Sequence, residues 1–132
     1  MQSPRLPRPP GSAYSASMTT IIYKICSEEL WRTAEKAGRF DGAPVDLADG
    51  YIHFSTVSQV RETARRHFSG QHDLLLVAVE ADALGDSLKW EPSRGGALFP
   101  HLFAALDPAA TLWVRPLPLG ADGVHEFPED LA

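Results

Sequence analysis

The side chains best suited to chemistry in this chain are concentrated in Asp49-Gly50-Tyr51-Ile52-His53-Phe54-Ser55-Thr56. Read as a short strand after a glycine turn, it puts Ile52 and Phe54 on one face and His53 and Ser55 on the other. An imidazole and a hydroxyl then emerge together beside Thr56-Val57-Ser58-Gln59, which has the pattern of a helix start. Free backbone N–H groups at such a start favour anions, so the segment points to a small-molecule or nucleotide pocket. His53 can donate to a hydroxyl or phosphate, or act as acid or base near neutral pH. The competing role is a structural histidine bonded to a backbone carbonyl, and the sequence leaves both open. Ser55 has no nucleophile elbow around it, and its nearest histidine is two residues away. Its expected role is capping or ligand hydrogen bonding, not nucleophilic attack. Thr56 sits where a helix cap belongs.

A second group flanks Gly95-Gly96: Trp90-Glu91 before it, Phe99-Pro100-His101 after it. A carboxylate and an imidazole brought together across a glycine loop form an acid/base pair or hold a ribose. The plainer alternatives are a surface carboxylate near Arg94 for Glu91 and a packed loop histidine for His101. Metal binding finds little support, because His53, His67, His72, His101 and His125 lack the close spacing of zinc ligands and Cys26 stands alone. No dinucleotide fingerprint or phosphate loop occurs. Among the aromatic residues core packing is the default, with Tyr23 or Tyr51 available to stack on a flat ring.

These residues need elements to hold them. Thr19 to Cys26 is β-branched and aromatic and reads as a strand. Ser27 caps a helix with Glu28 and Glu29 in its first turn, stopped by Gly38. Arg39 to Gly50 reads as a long connection in which Asp46 and Asp49 shape turns. A second helix opens on Thr56-x-x-Gln59, with Val60, Ala64 and Phe68 as its apolar stripe and Gly70 at its end. Leu74 to Glu80 lacks alternation and reads as a central strand buried on both faces. Further strands are expected over 88–91, over 98–103 (held extended by Pro100) and over 111–115, where Pro116 and Pro118 end the last one. The acidic tail from Gly120 is expected to be irregular. Helices and strands without regular alternation argue for an α+β domain.

The totals set bounds. At 132 residues with 44% hydrophobic content, one domain with a full core is expected. A net charge of −5 argues against a duplex nucleic-acid binder, although Arg61, Arg65, Arg66 and His67 form a local basic cluster. A lone cysteine fits a reducing cytoplasm, and the longest apolar run, Leu74 to Val79, is far too short to span a bilayer. Residues 1–17 carry four prolines, two arginines and no acid, without the apolar core of a secretory signal. They read as a disordered extension, or as the product of an early start with Met18 the true one, ahead of a single domain over 18–132.

Taken together, the motifs resemble a bacterial family known as domain of unknown function number 952. The residues that carry the likeness are Ile22-Tyr23-Lys24-Ile25, Trp31, Asp49 to Thr56, Gln59-Val60, Thr63-Ala64 and Phe68-x-Gly70. Leu74 to Val79, Leu88-Lys89-Trp90-Glu91 and Phe99-Pro100-His101-Leu102 complete it, in order from about Met18 to Val114. The resemblance implies a fold similar to the ADP-ribosyltransferase-like superfamily: a split, mostly antiparallel sheet around a cleft, with two main helices. It implies NAD or an ADP-ribose-type nucleotide as ligand or substrate, with no resident cofactor. By position, the polar residue on the first strand would be Lys24, where the family often has histidine. The nicotinamide side would fall to His53 with Ser55, and the role of the later glutamate, steadying the oxocarbenium-like transition state, to Glu91 or His101. Tyr23 and Thr56 would complete the ligand contacts. Lys24 is a point charge of looser geometry than the histidine it replaces. A non-catalytic module keeping the cleft is the alternative.

Overall fold

A computed structural model describes residues 20–131, apart from the Arg94 side chain. The expected N-terminal extension over 1–17 and the expected neighbour of Glu91 at Arg94 lie outside what is described. The chain runs β1 (Ile21–Ser27), α1 (Glu28–Ala37), α2 (Pro44–Asp49), β2 (Ile52–His53), α3 (Val60–His67), β3 (Leu74–Glu80), β4 (Leu88–Pro92), β5 (Leu98–Leu102) and β6 (Trp113–Leu117), with short 3-10 turns between the later strands. This is an α+β fold with two antiparallel three-stranded sheets, ordered β1-β3-β6 and β2-β5-β4. Tyr23 and Ser55 stitch the two together: Tyr23 N–H donates to Ser55 O at 2.8 Å and Ser55 N–H to Tyr23 O at 2.9 Å. The sheets diverge on either side of that bridge. The gap is where the candidate site lies.

Sequence chemistry explains the main elements. The Ser27 hydroxyl accepts from Leu30 N–H at 3.1 Å, and Gly38 closes α1 in the left-handed conformation at φ 74°. β3 is buried on both faces, as its unbroken apolar run implies, but it lies between antiparallel neighbours. Leu75, Val77 and Val79 pack with Ile22, Trp31, Phe40, Ile52 and Leu102 on one face. Leu74, Leu76 and Ala78 pack on the other with Tyr23, Ile25, Val60 and Ala64. α3 therefore covers one side of the first sheet, while α1 and the second sheet cover the other.

Three expectations about elements need correction. The connection from Arg39 to Gly50 contains α2, which starts on Pro44, where a missing N–H costs nothing. Its N-cap, Ala43, has no side-chain acceptor. Asp46 instead reaches back to take the Ala43 N–H at 2.7 Å, half of a capping box. The second helix begins at Val60, not Thr56: residues 57–59 form a turn, and Thr56 N–H is bonded to Gln59 Oε1 at 3.0 Å. The last strand runs two residues later than expected and contains Pro116. It tolerates proline because β6 is an edge strand, paired only with β3. The tail after Gly120 is irregular apart from one bridge between Leu119 and His125.

Candidate functional site

Where the sheets part, a cleft of about 500 Å³ opens. Antiparallel register decides what faces it. His53 pairs with His101 across β2 and β5, and Glu91 lies opposite Phe99, so Glu91, Phe99, His101 and His53 share one face of the second sheet. The other face carries Ile52, Leu88 and Leu102 into the core. Phe99, His101, His53 and Ser55 form one side of the cleft, Tyr23, Lys24 and Ile25 another, and Thr63, His67 and Phe68 of α3 a third. Tyr51, Val45 and Asp49 border it from the α2 side.

A buried carboxylate organises this region. Asp46 has a fully buried side chain and accepts from Lys24 Nζ, which lies 3.0 Å from Oδ1 and 2.8 Å from Oδ2. Its Oδ1 is also 2.6 Å from His53 Nδ1 and 3.1 Å from His53 N, and its Oδ2 takes the Ala43 N–H. Burial alone would push this carboxyl up. The His53 hydrogen bond, the Lys24 charge and bond, and the Ala43 N–H outweigh it and hold the group at about 2, below its ordinary 3.8. One side chain thus ties β1, α2 and β2 together.

His53 is held at both ends. With Nδ1 on Asp46, its Nε2 lies 2.9 Å from Asp49 Oδ2, at the end of α2. A ring protonated on both nitrogens satisfies both carboxylates, whereas a neutral ring satisfies one. His101 is almost fully buried, with Nδ1 2.7 Å from Glu91 Oε1. A carboxylate is an acceptor only, so this contact puts the proton on Nδ1 and, in the neutral ring, the lone pair on Nε2. Tyr51 stacks on His101 at 4.1 Å between centroids and lies 4.6 Å from His53. Burial first, then the charges of Asp49, Glu91 and Asp46, push its phenol above the ordinary value.

Of the residues singled out in the sequence, Tyr23, Lys24, His53, Ser55 and His101 all border the cleft; Glu91 and Thr56 do not. Glu91 reaches it through His101. The Thr56 hydroxyl lies 3.1 Å from that of Ser58. The Lys24 ammonium is bonded to Asp46 and its side chain is 5% exposed, so its charge is already balanced. Ser55 Oγ is 2.8 Å from Thr63 Oγ1, which reaches Gln59 O at 3.2 Å, so Ser55 supplies the proton between the two hydroxyls. Among the described residues no three His, Cys, Asp or Glu side chains converge to hold a metal ion. The group missed in the sequence is Asp46, together with Asp49 as a site residue, whereas Tyr51, expected to be available for stacking, does border the cleft. The one available signal was a strand lysine, Lys24, that needed a buried partner.

A split antiparallel α+β domain with paired histidine–carboxylate contacts in its cleft is the class that fold and site define. The chain belongs to the family described as protein of unknown function (DUF952), whose model matches residues 25–114. It is similar to the crystal structure of protein CC0527 from Caulobacter crescentus, at 52% identity and a TM-score of 0.79, over 81% of this chain and 94% of that one. The solution NMR structure of the same protein is 53% identical with a TM-score of 0.72, over 79% of this chain and 90% of that one. No curated protein matches the chain. No helix among the described residues is long and apolar enough to cross a membrane.

Proposed function

We propose that the cleft binds NAD or an ADP-ribose-type nucleotide, in a domain of ADP-ribosyltransferase-like fold, and catalyses ADP-ribosyl transfer or hydrolysis. The observation that carries this reading is the convergence of Tyr51, His53 and His101, within 4.1 to 5.6 Å of one another, on a single cleft at the split between the sheets. Flat rings beside polar donors suit a ligand made of bases and riboses. His53 and Ser55 grip the ligand, with Tyr23 as a flanking contact. Lys24, whose ammonium has three donors, offers a ribose oxygen whatever Asp46 leaves free. In hydrolysis the bond from the anomeric carbon to the nicotinamide nitrogen breaks, and its electron pair leaves with nicotinamide. A water oxygen bonds the carbon and loses its proton to His101 Nε2, while Glu91 holds the Nδ1 proton and so orients the ring. NAD enters as substrate and no resident cofactor is needed. The single buried Cys26 and the acidic balance suit a cytoplasmic protein with a small-molecule partner, not a duplex nucleic acid.

One observation favours a second reading, a non-catalytic nucleotide- or partner-binding module: Glu91 does not border the cleft and spends one oxygen on His101. Calorimetry with NAD and ADP-ribose, on the wild type and His53→Ala, tests binding. Saturable binding that the variant loses is expected. Release of nicotinamide by the wild type and not by His101→Ala then separates enzyme from module. No binding to the folded wild type sinks the nucleotide reading.

A further inference from the structure

The two carboxylates on His53 differ in one respect that matters for any ligand. Asp46 is fully buried, caps α2 and balances Lys24, so it is part of the frame. Asp49 is the opposite: its side chain is 45% exposed, it borders the cleft, and among the described residues its charged contact is with His53 Nε2. Nδ1 is bonded to a buried group, whereas Nε2 meets a residue on the border of the cleft, and the His53 side chain is 33% exposed. The atom best placed to meet a ligand in the cleft is therefore already bonded, by a residue on the cleft's own rim.

We propose that Asp49 is the specificity-determining residue of the cleft: it occupies His53 Nε2 in the manner of a ligand oxygen, and an anionic ligand must displace it. This rests on the reading of the cleft as a nucleotide site and deepens it. Displacement is geometrically simple. Asp49 is the last residue of α2, followed by Gly50 in the left-handed conformation at φ 90°, and its side chain can rotate into solvent without moving the helix. Both outcomes of rotation set selectivity. A phosphate or carboxylate loses whatever the Asp49–His53 contact was worth and still feels the Asp49 charge nearby. A neutral or cationic ring that leaves the contact in place pays neither penalty. Lys24 does not compensate, because Asp46 balances it.

The test compares ADP-ribose with neutral nicotinamide as probes, on wild type, Asp49→Asn and Asp49→Ala. A half-exposed ion pair is worth up to about 1 kcal/mol, so Asp49→Ala is expected to bind ADP-ribose roughly five-fold more tightly, with nicotinamide unchanged. Asp49→Asn keeps an acceptor but not the charge and is expected to fall between. Equal or weaker ADP-ribose binding by Asp49→Ala, in a variant that unfolds like the wild type, overturns the inference and leaves the nucleotide reading standing. If neither chain binds a nucleotide, that reading has failed, and inorganic phosphate replaces it as probe, followed by the 15N shift of His53 Nε2. The inference then requires phosphate to perturb that nitrogen at lower concentration in Asp49→Ala than in the wild type. The same response in both overturns it.

Discussion

Asp46 is the residue on which most of the site depends. Its carboxylate and the Lys24 ammonium are both removed from water, which costs more than an exposed pair would return. Breaking such a pair strands a buried charge. Lys24→Met or Asp46→Leu alone is expected to cost about 3–5 kcal/mol of unfolding free energy, and the two together less than the sum of the single changes, as read from urea midpoints. The acid limb follows from the same group. Its folded value of about 2 lies below its ordinary 3.8, so the unfolded chain binds the proton more readily between those values. The contribution, about 2 kcal/mol, is fully present above roughly pH 4 and is lost as pH falls through 2. Asp46→Asn should flatten that part of the stability profile. Tyr51 provides a second check: Asp49→Asn is expected to bring its raised phenol back towards the ordinary value, seen by ultraviolet titration. None of this was legible from the spacing of Asp46, which looked like a turn former. Its role arises only when β1 brings Lys24, twenty-two residues earlier, against it.

Elements divide into those written in local sequence and those set by tertiary contact. α1 has its cap, its acidic first turn and its glycine stop, and β3 has its apolar run; both were readable as such. Ser27→Ala is expected to cost about 1 kcal/mol through the lost cap. α2 was not readable, since six residues carry too little periodicity and its N-cap is an alanine. The capping function passed to Asp46, whose main partners lie on other strands. The late start of α3 has a similar cause: Gln59, read as the reciprocal member of a capping box, also donates to Leu98 O at 2.8 Å and so ties the turn to β5. Gly42 ties α2 to the site. At φ 125° a side chain is strained, and a Cβ would meet the Asp46 Cβ at 2.7 Å. Gly42→Ala is therefore expected to destabilise the domain and shift the His53 and Lys24 resonances together. A variant that lost stability with both resonances unmoved would break the proposed link from loop to site.

At the scale of the whole molecule, the order of helices and strands pointed to an α+β domain, and the resemblance carried by the motifs from Ile22 to Leu102 implied a mostly antiparallel sheet. The fold is α+β with two antiparallel three-stranded sheets. The pairing of His53 with His101 was legible only as a hope that distant residues converge; the β2–β5 register supplies the physical reason. The molecule also has a second, larger concavity of about 630 Å³ between α3 and the C-terminal tail, bordered by Arg61, Arg65, His125 and Phe127. Its arginines belong to the basic cluster evident in the sequence, and Asp122 and Glu129 border the same concavity. Volume alone would favour it, whereas the convergence of rings and histidine–carboxylate pairs favours the cleft. The decisive measurement is amide chemical-shift mapping of the 15N-labelled protein during titration with ADP-ribose. Shifts that saturate together at Tyr51, His53, Ser55 and His101 are expected. Shifts centred on Arg61, Arg65 and His125, or none at all, would contradict the assignment of the cleft as the nucleotide site.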